Sequence, residues 1–220
     1  KEWMSLKQIA YKSMIVNISD AIVMNAKPLY ALLSVAIPKN YTKKELEELA
    51  CGFKKAANKF GIKIIGGDTI ANQKLDISVT IISKTLNPIF RNGVKKDDLL
   101  CYTGSLGSCK KDLEALFENK EISNKSKFIK PKLKPKFFYE VAPFITASMD
   151  ISDGLFFELE RLSKASNVGF EFFDEISEDI GISGEEYEIL FSFDKKNLEE
   201  IEKIALKHKI KLTIFAKAVK

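Results

Sequence analysis

Apolar and polar residues alternate along this chain in two rhythms, one near 3.6 residues and one of 2, and the places where the rhythm changes mark its elements. Leu6, Ile9, Ala10, Ser13 and Met14 share one helical face, and Ser5 stands at the capping position, so a helix is expected from Ser5 towards Ala26. Residues 29–37 read as a strand closed by Pro38. Thr42 and Glu45 form the Thr-x-x-Glu signature of a capping box, starting a helix that reaches about Phe60. Strands are expected at 63–65, 75–85 and 99–103. In the middle one, Leu75, Ile77, Val79 and Ile81 alternate with polar or small residues, as in a half-buried antiparallel strand. Beyond them the pattern predicts helices around 107–118 and 135–143, a short strand into Met149 and a helix over 152–165. Strands 168–172 and 189–193, a helix over 195–208 and a strand over 210–215 complete the series. Antiparallel strands mixed with helices indicate an α+β chain, with a boundary near Gly104 that separates an N-terminal domain, 1–103, from a C-terminal α/β domain, 104–220.

Composition narrows the chemistry. The 220 residues suffice for a substantial core in one or two domains. The chain has no uninterrupted apolar run of about 18 residues, so no membrane span or membrane partner is expected. Cys51, Cys101 and Cys109 show neither Cys-x-x-Cys spacing nor a nearby His, and read as reduced thiols of a cytoplasmic protein rather than zinc ligands. The net charge of +5 is mild and concentrates in the six lysines between Lys125 and Lys136, interrupted by Pro131 and Pro135. That stretch can face phosphates or nucleic acid, or be a solvated, proline-stiffened connection. Few aromatics interleave it, the second reading is preferred, and no nucleic-acid partner is expected. The single histidine, His208, lies in the basic end of an expected helix, where a structural role suits it. Catalysis built on histidine therefore has little to work with. Carboxylates, metals and backbone donors remain, which is the equipment of phosphoryl transfer.

The acids fall in four settings. Met149-Asp150-Ile151-Ser152-Asp153-Gly154-Leu155 sets two carboxylates, a hydroxyl and a glycine at the start of a helix, where side chains can hold a divalent cation and backbone N–H groups can meet an anion. It can equally be a helix start capped by Ser152 or Asp153. In Ile64-Ile65-Gly66-Gly67-Asp68-Thr69 a short strand runs into two glycines and an acid, which suits either close approach to a phosphate or a simple turn. Asp20 sits in the apolar segment Val16-Asn17-Ile18-Ser19-Asp20-Ala21, as a charge needing a partner or as a cap inside a broken helix. Ser183-Gly184-Glu185-Glu186-Tyr187-Glu188 precedes an apolar strand and by itself resembles a solvated acidic turn.

Taken in order, these segments resemble the thiamine-monophosphate kinase family, within the aminoimidazole ribonucleotide synthetase-like superfamily. The resemblance is carried also by Trp3-Met4-Ser5, by Asn25-Ala26-Lys27-Pro28-Leu29 and by Thr103-Gly104-Ser105-Leu106-Gly107, and it runs from about residue 3 to the end. Six motifs in register outweigh any one of them, and Gly184-Glu185-Glu186-Tyr187-Glu188 favours the thiamine kinase branch. The resemblance implies two α/β domains, the first with a mixed or antiparallel sheet used for dimerisation, and ATP between them with its phosphates clamped by Mg²⁺. It assigns Asp20, Asp68, Asp150 and Asp153 to metal; Gly67, Asp68, Arg91 and Ser152 to the nucleotide; and Glu185 and Glu186 to the cationic thiamine moiety. Ala50 stands where the family has an aromatic residue at the nucleotide.

The implied reaction is ATP-dependent phosphorylation of thiamine monophosphate to the diphosphate by Mg²⁺-assisted in-line transfer, with no catalytic side-chain base, in a homodimer. The alternatives are another ATP-using superfamily member, of the hydrogenase maturation or selenophosphate synthetase type, and a non-catalytic nucleotide-binding dimer module. By the same resemblance, a glycine- and aspartate-rich metal loop with a strand pair is expected before Lys1, and a tail bearing an aromatic thiamine contact after Val219. The sequence is therefore expected to be part of a longer natural protein. The segment between Glu171 and Ser183 is shorter than the family's.

Overall fold

The computed structural model describes residues 3–220. They form two compact units, one made of residues up to Ala21 together with Ala26–Leu86, the other of Ile22–Asn25 and Asn87–Lys220.

In the first unit, α1 (Leu6–Val23) starts as its sequence indicates. The Gln8 N–H donates to Ser5 Oγ at 3.2 Å, and the Ser5 N–H donates to Gln8 Oε1 at 2.8 Å. The helix is unbroken through Asp20, so that residue caps nothing. Its apolar residues Met14, Ile15 and Ile18 are fully buried while Asp20 faces solvent, which spares its charge the cost of burial. After β1 (Lys27–Pro38), the Thr42–Glu45 capping box opens α2 (Lys43–Phe60), with the Glu45 N–H donating to Thr42 Oγ1 at 3.3 Å and the Thr42 N–H to Glu45 Oε2 at 2.7 Å. Gly61, at φ 67°, ends the helix in the left-handed conformation. β2 (Lys63–Asn72) and β3 (Asp76–Lys84) flank β1 in a three-stranded sheet of order β2-β1-β3, with β2 parallel and β3 antiparallel to β1.

Here the structure departs from the expected strand at 63–65. β2 continues through Gly66, Gly67 and Asp68, which pair with Leu32, Leu33 and Ser34 of β1. Glycine pairs look like turns when only their neighbours are considered. A parallel partner strand supplies the hydrogen bonds that keep them extended.

The second unit holds a five-stranded antiparallel sheet of order β5-β7-β4-β8-β6. Its strands are β4 (Leu99–Thr103), β5 (Ile145–Asp150), β6 (Gly169–Phe172), β7 (Ile189–Phe193) and β8 (Leu212–Val219). Its helices are α3 (Ser108–Phe117), α4 (Pro135–Val141), α5 (Leu155–Ser166), the single turn α6 (Glu178–Gly181) and α7 (Leu198–His208). The short α6 was not foreseen from the sequence. β4 and β7 keep their expected bounds, and both are buried at every position, as continuous apolar runs in the middle of a sheet should be. Leu100, Tyr102, Met149, Ile151, Leu155 and Leu190 form part of the core that binds α5 to the sheet. Because β4 pairs with β7 and β8, it belongs to this second unit. The division by compactness lies between Leu86 and Asn87, ahead of the expected 103/104 boundary.

One smaller feature follows the sequence reading. His208 hydrogen-bonds Glu140 at 2.7 Å, tying α7 to α4. Among the described residues no helix is long and apolar enough to cross a membrane.

Candidate active site

β5 runs antiparallel to β7, with Asp150 opposite Ile189. The pairing does not stop where the strands do. The Ile151 N–H donates to the Glu188 carbonyl at 2.9 Å, the Tyr187 N–H to the Ile151 carbonyl at 2.8 Å and the Glu185 N–H to the Ser152 carbonyl at 2.6 Å. Residues 150–154 and 183–188, separate motifs in the sequence, are thus one structure of two stitched loops. Asp150 closes the strand at 6% exposure, and Ile151 anchors the loop in the core. Gly154 follows at φ 115°, and a Cβ there would lie 2.9 Å from the Gly181 carbonyl oxygen, so neither the conformation nor the space admits a side chain.

Neither Ser152 nor Asp153 caps α5, the plainer of the two readings of that motif. The capping position is Gly154, and the helix reaches back instead. Glu158, in its first turn and 1% exposed, accepts from the Asp153 N–H at 3.1 Å and from Ser152 Oγ at 3.2 Å. Arg161, one turn further on, donates to both Glu158 oxygens at 3.0 and 2.9 Å and reaches Asp153 Oδ2 at 2.6 Å. A buried carboxylate thereby gains a cation, and the same cation holds the exposed carboxylate of Asp153. Sequence reasoning missed Glu158 and Arg161. Their three-residue spacing on one helix face was the available signal.

The second loop turns the same way. Glu186 is fully buried, and its Oε1 accepts from the Gly107 N–H at 2.8 Å, the Cys109 N–H at 3.1 Å and Ser183 Oγ at 2.7 Å, so it caps α3 from a distance. Lys127 pairs with Glu186 and, at 3.1 Å, with Glu188. Lys134 pairs with Glu188, whose Oε2 also accepts from Thr103 Oγ1 at 2.6 Å. The Lys125–Lys136 stretch is therefore not wholly a solvated connection: two of its lysines fold inward on buried acids. Burial opposes the charge of Lys127, but Glu188 and Glu186 outweigh it and its pKa is raised. At Lys134 burial wins over Glu188, and the pKa is lowered. The Glu186 carboxylate is committed to these internal partners, whereas Glu185 stays part-exposed, with a left-handed backbone at φ 61°.

The remaining residues singled out from the sequence lie elsewhere in their units. In β2, Asp68 is exposed, opposite Ser34, and its Oδ1 accepts from the Thr69 N–H at 2.8 Å. Gly67 before it has φ 140°, and a Cβ would fall 1.8 Å from the Leu33 carbonyl oxygen, so the residue must be glycine for β1 and β2 to lie side by side. Asp20 is exposed near the end of α1. Arg91 is exposed in the loop between β3 and β4, where its carbonyl accepts from Ser166 Oγ at 2.9 Å. The second unit thus brings Asp150, Ser152, Asp153, Glu185 and Glu186 together, while Asp20, Gly67 and Asp68 belong to the first. The aspartates are hard oxygen donors, the chemistry Mg²⁺ takes. Among the described residues no three His, Cys, Asp or Glu side chains gather in one metal-ready cluster.

Residues 2–85 match the model of AIR synthase related protein, N-terminal domain, and the two-sheet α/β architecture is of the AIR synthase-like fold. Thiamine-monophosphate kinase of Nitrosopumilus maritimus (strain SCM1) is 32% identical over 221 residues, covering 92% of this chain and 71% of the relative. The Pyrococcus horikoshii protein of the same name is 31% identical, covering 91% and 70%. The solved structure of AaThiL complexed with AMPPCP and TMP superposes with a TM-score of 0.86, covering 99% of this chain and 75% of that one, at 23% identity, which speaks for the fold. The chain belongs to the thiamine-monophosphate kinase family.

Proposed function

We propose that this protein transfers the γ-phosphoryl group of ATP to thiamine monophosphate, forming thiamine diphosphate. The observation that carries the reading is the stitched pair of loops, which brings Asp150, Ser152, Asp153 and Glu185 onto one hydrogen-bonded backbone frame in a chain of this family. AaThiL, similar in fold, is complexed with AMPPCP and TMP, and this supports an ATP donor and a thiamine monophosphate acceptor here.

The physical task is electrostatic. Two phosphates must approach, and like charges about 4 Å apart repel by about 4 kcal/mol per pair at intermediate dielectric. Asp20 and Asp68 in the first unit, and Asp150 and Asp153 in the second, are the acids of each unit that would hold Mg²⁺, which when bound neutralises that charge. Gly67 lets the backbone of β2 pass close to its neighbours and so places Asp68 at a fixed register. Ser152, with its hydroxyl steadied by Glu158, and Arg91 serve the nucleotide. Glu185 offers negative charge to the cationic thiamine, and Glu186 acts there by fixing the loop from within rather than by contact. No side-chain base is called for, because the acceptor phosphate, with a second pKa near 6, is already largely dianionic at neutral pH. The lone histidine, bound to Glu140, accords with this.

We further read the three-stranded sheet as a homodimer surface. β2 lies at one end of the sheet order, and Ile65 and Ile70 are 54% and 58% exposed along it. The activity is tested by ADP release coupled to thiamine monophosphate and Mg²⁺. Acceptor-dependent ADP formation with appearance of the diphosphate is expected. Release without acceptor dependence, or dependence on selenide or a purine intermediate, would replace the reading by a sibling activity.

A further inference from the structure

The loop at 183–188 is held in a conformation that its own residues do not favour. Glu185 and Tyr187 both take left-handed backbone, at φ 61° and 49°, a conformation unfavourable to a residue with a side chain. Such a loop persists only where its surroundings over-determine it. One set of restraints is the backbone ladder to residues 151 and 152. The other is ionic. Glu186 and Glu188 are almost wholly buried, and their charges are met by Lys127 and Lys134, whose side chains are each 14% exposed. Lys127 also donates to the Ser105 carbonyl, ahead of α3. Two acids and two ammonium groups cancel, and they join segments 54 and 61 residues apart in the chain.

Stability alone does not call for four buried charges, since apolar groups of similar volume often serve as well. What the charges add is selection: Lys127 meets both acids and Lys134 meets Glu188, so a loop shifted in register would leave buried charges without these partners. We infer that Lys127 and Lys134 are positioning residues, forming a strap that locks the Ser183-to-Glu188 loop in the shape that receives the acceptor, so that they govern acceptor affinity rather than nucleotide affinity. The inference rests on reading that loop as the acceptor's.

The test uses Lys134→Met and Lys127→Met, with KM for thiamine monophosphate and for ATP measured separately and amide hydrogen exchange followed at Glu185 and Tyr187. Loss of either lysine is expected to raise the acceptor KM roughly tenfold or more, the scale on which outer partners act on a site. The ATP KM stays unchanged, and the Glu185 and Tyr187 amides lose protection. Lys134→Arg, which keeps the charge, is expected to restore protection and most of the acceptor affinity. The inference is overturned if both KM values shift together, or if the two amides stay protected in the Met variants. Should Lys134→Met not fold, Lys134→Arg and Lys127→Met decide by the same split. If the unaltered protein does not use thiamine monophosphate, the functional reading fails, while the exchange data still judge the strap.

Discussion

The Glu185 amide donates to the Ser152 carbonyl at 2.6 Å, joining the acidic loop before β7 to the aspartate loop after β5. Through that bond a side chain proposed for the thiamine end and one proposed for the nucleotide share one backbone frame. A change at Gly154, which is wedged against Gly181 and Ile182 ahead of the second loop, should therefore be felt by both.

Gly154→Ala tests the frame at its tightest point. The added methyl meets the Gly181 carbonyl oxygen at 2.9 Å, on a backbone with φ 115°. A stability loss of about 1–3 kcal/mol is expected, with higher KM for both substrates. Urea denaturation with steady-state kinetics checks this.

Asp150→Asn and Asp68→Asn each remove a charge while keeping the shape of the side chain. Turnover is expected to fall to background while the melting temperature stays near that of the parent. Near-normal rates in either variant would reject the metal assignment of that residue.

Glu158→Ala takes the acceptor from the Asp153 amide and the Ser152 hydroxyl and leaves Arg161 with Asp153 alone. About 2 kcal/mol of stability should be lost. Calorimetric Mg²⁺–nucleotide titration should show weaker binding, because Asp153 is no longer held in place.

The α2 capping box carries a pH signature. The Thr42 backbone N–H, then its side chain, hold the Glu45 carboxyl below its usual 4.5. A lowered carboxyl pKa contributes stability that is present above 4.5 and lost as the pH falls through the lowered value. Glu45→Gln is expected to flatten the acid limb of a melting-temperature profile, and Thr42→Ala to cost about 0.5–2 kcal/mol near neutrality.

Ile65→Glu places a charge on the exposed face of β2. Light scattering is expected to show a dimer for the parent and a monomer for this variant. A parent mass of one chain would remove the dimer reading.

How far the sequence reached can be read element by element. The Thr42–Glu45 box, the strands at 99–103 and 189–193 and the helix over residues 43–60 were legible, because their signals lie within a few residues of one another: a cap, a period, an uninterrupted apolar run. The family motifs were legible for the same reason, each being a short string. Only the tertiary structure decided that β2 runs on through Gly66 and Gly67, that Glu186 points inward to cap α3, and that Lys127 and Lys134 leave solvent for buried acids. In each case the partner is distant in the chain. A glycine's strand state, a carboxylate's burial and a lysine's direction depend on hydrogen bonds and charges supplied from elsewhere, and local sequence carries no record of where those partners will come to rest.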